Sequence, residues 1–308
     1  MAEPHAEEVI QGHANTAQTV DLELRPEEEA FLLSTTGLPD VDALKALIVR
    51  VQAEAAEAFP YPCIRRFDFV KLKMSRLPCY NRLLSLVKDD PDALLLDIGC
   101  CFGTDVRKAI ADGYPAKNII ASDLRPSFWD VGHKLFRSNP ATFPVTFLSG
   151  DVLHSTFIGM ASPVYGAPRT PRPELRGLRE LAPLAGHLRA IHASNFFHLF
   201  TEANQAAIAR SLGALLAPTP GSMIFGTHVS RPKKGLRTEA PPPAPGYLGN
   251  RMFCHDAQSW TDLWDGEVFQ KGTVRVEAEV LEQAREDLVV LDPGVKFYQL
   301  ICIYTKDH

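Results

Sequence analysis

Apolar positions along the chain fall into two alternating patterns. Leu94-Leu95-Leu96 with Ile98, Ile119-Ile120-Ala121, Val145 to Leu148, Ala190-Ile191 and Met223-Ile224-Phe225 are short apolar runs, each followed by turn residues. Runs of that length read as buried strands. Between them lie stretches with helical spacing, Val106 to Asp112 ending at Gly113, and Glu202 to Leu216 ended by Pro218. Strand and helix in alternation predict an α/β fold around a mostly parallel sheet. Near the end, Val274 to Val280 alternates cleanly, as a strand with one wet face does. Phe297 to Tyr304 is nearly all apolar and predicts a buried strand.

The flanking segments are patterned differently. Pro26-Glu27-Glu28-Glu29 opens a helix, since proline suits the first turn and acids suit its positive end. A second helix starts near Asp40 and places Leu44, Leu47, Ile48, Val51, Ala55 and Ala58 on one face. Its two readings are a helix packed on the core and a lid. Tyr80 to Val87 predicts a helix leading into the first strand. Phe59 to Phe67 carries two prolines that set an extended path, then Arg65 and Arg66 between aromatic residues. Residues 155–173 lack a period and predict a loop. Leu175, Leu178, Leu181 and Leu184 have helical spacing, interrupted at Pro183. Arg231 to Asn250 is proline-rich, cannot form a packed core, and is expected to fold over a bound substrate. Phe253 to Trp264 predicts a helix. Three segments result: a flexible polar 1–20, a helical cap over 21–90, and a main domain over 91–308 with insertions at about 155–188 and 229–262.

The turn after the first strand is the candidate site. Asp97, Gly99, Cys101 and Gly103 fall at alternate positions where the chain leaves that strand for a helix. Glycine there allows backbone geometry and close approach that a side chain blocks. In open α/β sheets ligands bind at the strands' carboxyl ends. About 20 residues on, a second apolar run ends at Asp123, where an acceptor-only carboxylate can take both hydroxyls of a ribose. A third run ends at Asp151. A dinucleotide fingerprint is not met, because two of its three glycines are missing.

These residues resemble motif I and the two acidic strand ends of the class I S-adenosylmethionine-dependent methyltransferases, with Cys101 standing where that family usually has glycine. The resemblance covers about residues 75–305. It implies a Rossmann-like seven-stranded sheet whose sixth and seventh strands are antiparallel. It implies S-adenosylmethionine as cofactor, with Asp123 on the ribose and Asp151 on the adenine amino group, and Leu124, Val152 and Ser194 in the same binding set. The string Ala193-Ser194-Asn195-Phe196-Phe197-His198-Leu199-Phe200, with Ser259-Trp260-Thr261-Asp262-Leu263-Trp264, is similar to fungal secondary-metabolism methyltransferases, including those that esterify a carboxylate in meroterpenoid biosynthesis.

Composition narrows the acceptor. The chain has 308 residues, of which 45% are hydrophobic and 22% charged, and a net charge of −5. A negative chain is a poor partner for a polyanion, so no nucleic acid is expected. No stretch is long and apolar enough for a membrane span, and no secretory signal opens the chain; the expected location is cytoplasmic. The six cysteines include no C-x-x-C pair, so neither a disulfide framework nor a metal site is expected. Phe196, Phe197, Phe200, Phe253, Trp260 and Trp264 suit an apolar small-molecule pocket with a few polar groups. The expected function is O-methylation of a small apolar molecule on a carboxylate or hydroxyl. His198, His255 and Asn195 are the candidate catalytic residues. Arg65, Arg66, Phe197, His228, Trp260 and Trp264 are the candidate acceptor contacts. His192, inside a strand, reads as structural. The competing readings are a protein or RNA methyltransferase and an inactive partner protein of the same fold.

Overall fold

The structure is a computed structural model that describes residues 21–159, 161–168, 170–237, 252–283 and 296–306. Seven strands form one sheet. They are β1 (Leu94–Ile98), β2 (Ile119–Asp123), β3 (Thr146–Ser149), β4 (Leu188–His192), β5 (Met223–Ser230), β8 (Val274–Gln283) and β9 (Phe297–Lys306). Their spatial order is β3-β2-β1-β4-β5-β9-β8. The first five are parallel, while β9 runs antiparallel to β5 and β8 antiparallel to β9. This is the Rossmann-like, seven-stranded sheet that the resemblance implies. The order reverses between β1 and β4, which opens a crevice at their carboxyl ends.

Both faces of the sheet are covered, and the period of two assigns residues to each. Leu94, Leu96, Ile98, Ile120, Ile191 and Ile224 share one core with α8 (Glu202–Leu215) and α9 (Ala257–Trp264). Leu95, Ile119, Ala121, Ala190 and Phe225 share the other with α4 (Tyr80–Asp89) and α5 (Thr104–Ala111). A third cluster joins the N-terminal helices α1 (Pro26–Thr36) and α2 (Val41–Ala58) to Phe102 and to α6 (Pro126–Leu135). Asp40 caps α2, its carboxylate accepting from the Ala43 amide at 2.8 Å. The face Leu44, Leu47, Ile48, Val51 and Ala55 is buried.

Four expectations change. The loop expected over 155–173 opens with one helical turn, α7 (Ser155–Ile158). Leu175 to Leu184 is not an α-helix; Leu175, Leu181 and Leu184 are buried in the first core from an irregular path that ends in a 3₁₀ turn at Ala182–Leu184. Pro183 lacks an amide donor, and Gly177 has φ of 91°. The helix expected from Phe253 begins at Ala257, because Asp256 caps it through the Ser259 amide at 2.7 Å. Phe253–Cys254 instead forms β7, paired with β6 (Gly235–Leu236). The extended path after Phe59 gives way to one helical turn, α3 (Pro62–Arg65), with proline at its first position. The proline-rich stretch expected to close over substrate lies outside the described residues from 238 to 251, as does the polar segment 1–20. Among the described residues no helix is long and apolar enough to cross a membrane.

Candidate active site

The glycine turn is fixed from both sides. Gly99 and Cys100 donate their amides to Ser122 O at 2.8 and 3.0 Å, which ties the turn to β2. Cys101 and Gly103 hold positive φ of 52° and 70°. A methyl group on Gly103 would come within 2.5 Å of Trp129, so both conformation and space demand glycine there. Behind the turn, the buried Arg107 donates to Phe102 O at 2.9 Å and lies 4.0 Å from the Phe143 ring. Burial pushes its pKa down to about 9.

Asp123 ends β2 beside this turn. Its Oδ2 accepts from the Cys101 amide and its Oδ1 from the Arg125 amide, both at 2.9 Å. Burial raises its pKa to about 6, against the lowering effect of those two donors. Each oxygen keeps acceptor capacity, because an ionised carboxylate offers about four lone pairs. That donor-hungry pair fits a ribose diol. Asp151, after β3, accepts from the Leu153 amide at 2.9 Å and so shapes the next turn. Leu124 is half-buried, and Val152 is buried in the first core.

Asp97 and His192 are opposite one another in the parallel register of β1 and β4. Asp97 Oδ1 lies 2.7 Å from His192 Nδ1, and His192 Nε2 lies 2.8 Å from Ser194 Oγ. Both Asp97 and His192 are almost wholly buried. The Thr227 amide of β5 donates to Ser194 Oγ at 3.2 Å. Three strands thereby converge on one hydroxyl.

A strap from the N-terminal region covers the turn. The Lys73 and Met74 amides both donate to Asp105 Oδ1 at 2.9 Å, and Thr104 Oγ1 donates to Phe69 O. Asp97, Gly99, Cys100, Cys101, His192 and Ser194 line one wall of a narrow crevice of about 40 Å³. Asp68, Phe69, Lys71 and Lys73 face them from the strap. Lys73 donates to Asp68 O at 2.7 Å. Burial opposes its charge, but Asp68 and Asp105 outweigh that and raise its pKa. Arg66 forms an ion pair with Asp68 at 3.0 Å, and Arg65 accepts Gln52 through its carbonyl at 3.3 Å. Neither arginine lines the crevice. The strap is anchored in turn by Glu28, fully buried in α1, which accepts from Arg76 at 2.6 Å.

The loop leaving β4 carries the other half. Gly226 lets β5 approach β4, since a methyl there would meet Ala193 O at 1.8 Å. The Ala193 and Asn195 amides can then reach Phe225 O and Thr227 O at 2.9 and 2.6 Å. Asn195 takes a left-handed φ of 53°, a conformation asparagine tolerates. Phe196 rests against Gly99. Phe197, His228, Trp260 and Trp264 pack ring to ring, with centroids 5.0 to 6.1 Å apart. His198 Nδ1 accepts from the Val229 amide at 3.3 Å. His228 is buried, and among the described residues its Nδ1 has no hydrogen-bond partner. Burial, with His198, His192 and His255 nearby, holds it well below the usual histidine range. His255 shares a hydrogen bond of 3.0 Å with Ser259 Oγ. Burial lowers its pKa to about 4, and the Lys234 charge adds to that. Trp260 and Trp264 are fully buried in the core.

His192, Lys73 and Asp105 are the site residues that sequence reasoning missed. The partnership of His192 with Asp97 was readable only once β1 and β4 are paired in register. Nothing in the local pattern marks Lys73, which reaches the turn from a separate segment.

Residues 17–70 match the family described as "Meroterpenoid methyltransferase N-terminal domain". The chain is 31% identical over 259 residues to the Asnovolin E/Chermesin D methyltransferase nvfJ of Aspergillus novofumigatus, covering 83% of this chain and 81% of that one. It is 29% identical over 269 residues to the methyltransferase ausD of Aspergillus calidoustus, covering 87% and 85%. It is 31% identical over 226 residues to the O-methyltransferase phiE of a fungal species, covering 73% and 66%.

Proposed function

The chain belongs to the family of fungal secondary-metabolism methyltransferases that includes these relatives, and from that premise we propose that it moves a methyl group from S-adenosylmethionine to a carboxylate oxygen of a small, largely apolar metabolite. One observation carries the reading. The loop after β4 touches the glycine turn through Phe196 and carries Phe197 into the aromatic cluster, so a single eight-residue segment spans both halves of the site.

S-adenosylmethionine supplies, when bound, a methyl group activated by its sulfonium charge. The residues of this chain bind and align. Asp123 holds the ribose through the lone pairs that Cys101 and Arg125 leave open. Asp151 takes the adenine amino group. The strap and the aromatic cluster exclude water from the line of transfer. Alignment of this kind supplies about 7–11 kcal/mol in well-oriented reactions.

The histidines favour a carboxylate over a hydroxyl. With the Val229 amide donating to it, the His198 Nδ1 lone pair is taken, so that nitrogen is not available as a base. His228 and His255 are held neutral by burial. A carboxylate, with a reference pKa of about 4, is ionised at neutral pH and needs no base. A hydrogen-bond donor that orients one of its oxygens suffices. A phenol would call for a base.

The test is transfer of labelled methyl to a panel of apolar carboxylic acids, phenols, peptides and RNA. The expected product is a methyl ester of an apolar acid, whose label mild alkali releases as methanol. Alkali-stable transfer to phenols alone would move the acceptor to a hydroxyl. Transfer to peptide or RNA alone would overturn the small-molecule reading.

A further inference from the structure

A second hollow, of about 350 Å³, lies between α2 and the carboxyl end of α6. It shares no lining residue with the crevice at the glycine turn. Since α6 has 10 residues, it rises about 15 Å from its Arg125 end beside Asp123 to this hollow. Ala43, Ala46, Leu47 and Arg50 line it from one face of α2, and the two alanines leave the room. Leu38 and Leu47 give it an apolar floor continuous with the N-terminal cluster. Lys134 and Arg137 enter from the α6 side. Lys134 pairs with Glu54. Arg137 holds φ of 50° just past α6, where glycine is usual, and donates to Thr36 O at 3.2 Å. Among the described residues neither Arg50 nor Arg137 pairs with a carboxylate. Two uncompensated guanidiniums thus flank one apolar floor in a chain of net charge −5. Cations at a helix's carboxyl end complement its dipole, which accounts for Lys134 and Arg137 but not for Arg50, in the middle of another helix.

We propose that this hollow is a second ligand site, separate from the site of methyl transfer, and that it binds a small apolar carboxylic acid, with the carboxylate between Arg50 and Arg137 and the hydrocarbon body on Leu38 and Leu47. The guanidinium fork matches a carboxylate. The floor calls for an apolar body, which an inorganic anion lacks, and a neutral apolar molecule has nothing for the guanidiniums. The volume falls at the lower end of the range for small-molecule sites. A ligand seated there bridges α2 of the N-terminal region to α6 of the sheet domain.

Photolabelling of the full chain with 4-benzoylbenzoate, an apolar acid whose ketone cross-links under near-ultraviolet light, tests it, with 4-methylbenzophenone as the neutral match and mass spectrometry to place the label. Wild type should take the label of the acid on peptides of α2 or the end of α6, at concentrations where the neutral ketone leaves those peptides unlabelled. Arg50 and Ala46 are both exposed, so substitution there spares the packing. Arg50→Ala should raise the half-saturating concentration about fivefold, the upper end for an exposed ion pair. Ala46→Phe fills the hollow and should abolish this label, with the thermal midpoint of wild type as its control. Both variants should keep the wild-type kcat and KM for an acid acceptor. Labelling confined to other peptides overturns the inference, as does equal labelling by the neutral ketone, or an unchanged half-saturation in Arg50→Ala. Each of these leaves the proposed function standing. Labelling here in a chain that transfers no methyl group would remove the proposed function and keep this site.

Discussion

On the β1 side of Ser194 the site is made of backbone amides and carboxylates; on the β5 side it is made of rings. Asp123 is held by two amides, and the turn beside it by glycine geometry and the carbonyl contacts of Arg107. The other side is Phe197, His228, Trp260 and Trp264, drawn from three separate segments and packed edge to face. Backbone amides can read a ligand that never changes, because every sequence supplies them. Rings supply shape, and Phe197, Trp260 and Trp264 supply it from within the first core. The two sides thus read a partner by different means, and variants should affect them separately.

The widest separation is expected between Asp123→Ala and His198→Ala. Two hydrogen bonds of about 1.5–3 kcal/mol each go with the Asp123 carboxylate. S-adenosylhomocysteine affinity should fall about 100-fold or more. His198→Ala should leave that affinity within about twofold and lower turnover of an acid acceptor by about tenfold, through lost positioning. Because Asp123 also anchors Cys101, Asp123→Asn, which keeps one oxygen acceptor, is the control for a collapsed turn. Calorimetry and steady-state rates decide the matter. A loss of cofactor affinity in His198→Ala as large as in Asp123→Ala would erase the division.

The same contrast explains what could be read in the sequence. Asp97, Gly99, Gly103 and Asp123 stand at strand ends within one stretch of the chain, so local pattern exposes them. The pairing of Asp97 with His192 depends on the register of β1 against β4, which no local window contains; the same strand position that gave His192 a structural reading put it in the crevice. Arg65 and Arg66 were the evident cations of the cap, yet Lys71 and Lys73 line the crevice, because one helical turn replaces the expected extended path. Trp260 and Trp264 have the spacing of a helix face, and periodicity cannot tell a pocket wall from a core. The spacing of Leu175 to Leu184 marked burial correctly and helix wrongly, since the apolar residues reach the core while Gly177 takes a positive φ and Pro183 lacks a donor.

An intermediate effect is expected from pH. The Asp123 pKa is raised to about 6 by burial, above the value of about 4 for an unfolded chain. Between those values the folded state binds the proton and the unfolded state does not. The contribution of this group to folding stability is therefore fully present below about pH 4 and is lost as pH rises through 6. Cofactor affinity runs the other way, because a protonated carboxyl accepts fewer hydroxyls. Titration of S-adenosylhomocysteine at pH 7.5 and pH 5 should show about a tenfold loss at the lower pH, as one group protonated one unit below its pKa implies. Asp123→Asn should flatten the difference. Equal affinity at both values in wild type would mean that the carboxylate is not the cofactor's acceptor.

The smallest effect is expected at Cys101, where the backbone side of the comparison is tested most directly. Cys101 holds φ of 52°, and a residue with a side chain loses roughly 1–2 kcal/mol in that region. Its amide is what engages Asp123. Cys101→Gly relieves the conformational cost but adds freedom to the unfolded chain, at about 0.5–1 kcal/mol. It also gives up the packing of a partly buried sulfur against the N-terminal cluster. These contributions nearly cancel, so stability should change by no more than about 1 kcal/mol, with S-adenosylhomocysteine affinity within about threefold of wild type. Thermal unfolding and calorimetry measure both. A fall in affinity of tenfold or more with stability intact would show that the Cys101 side chain reads the cofactor, and would add a second side-chain contact beside Asp123 on that half of the site.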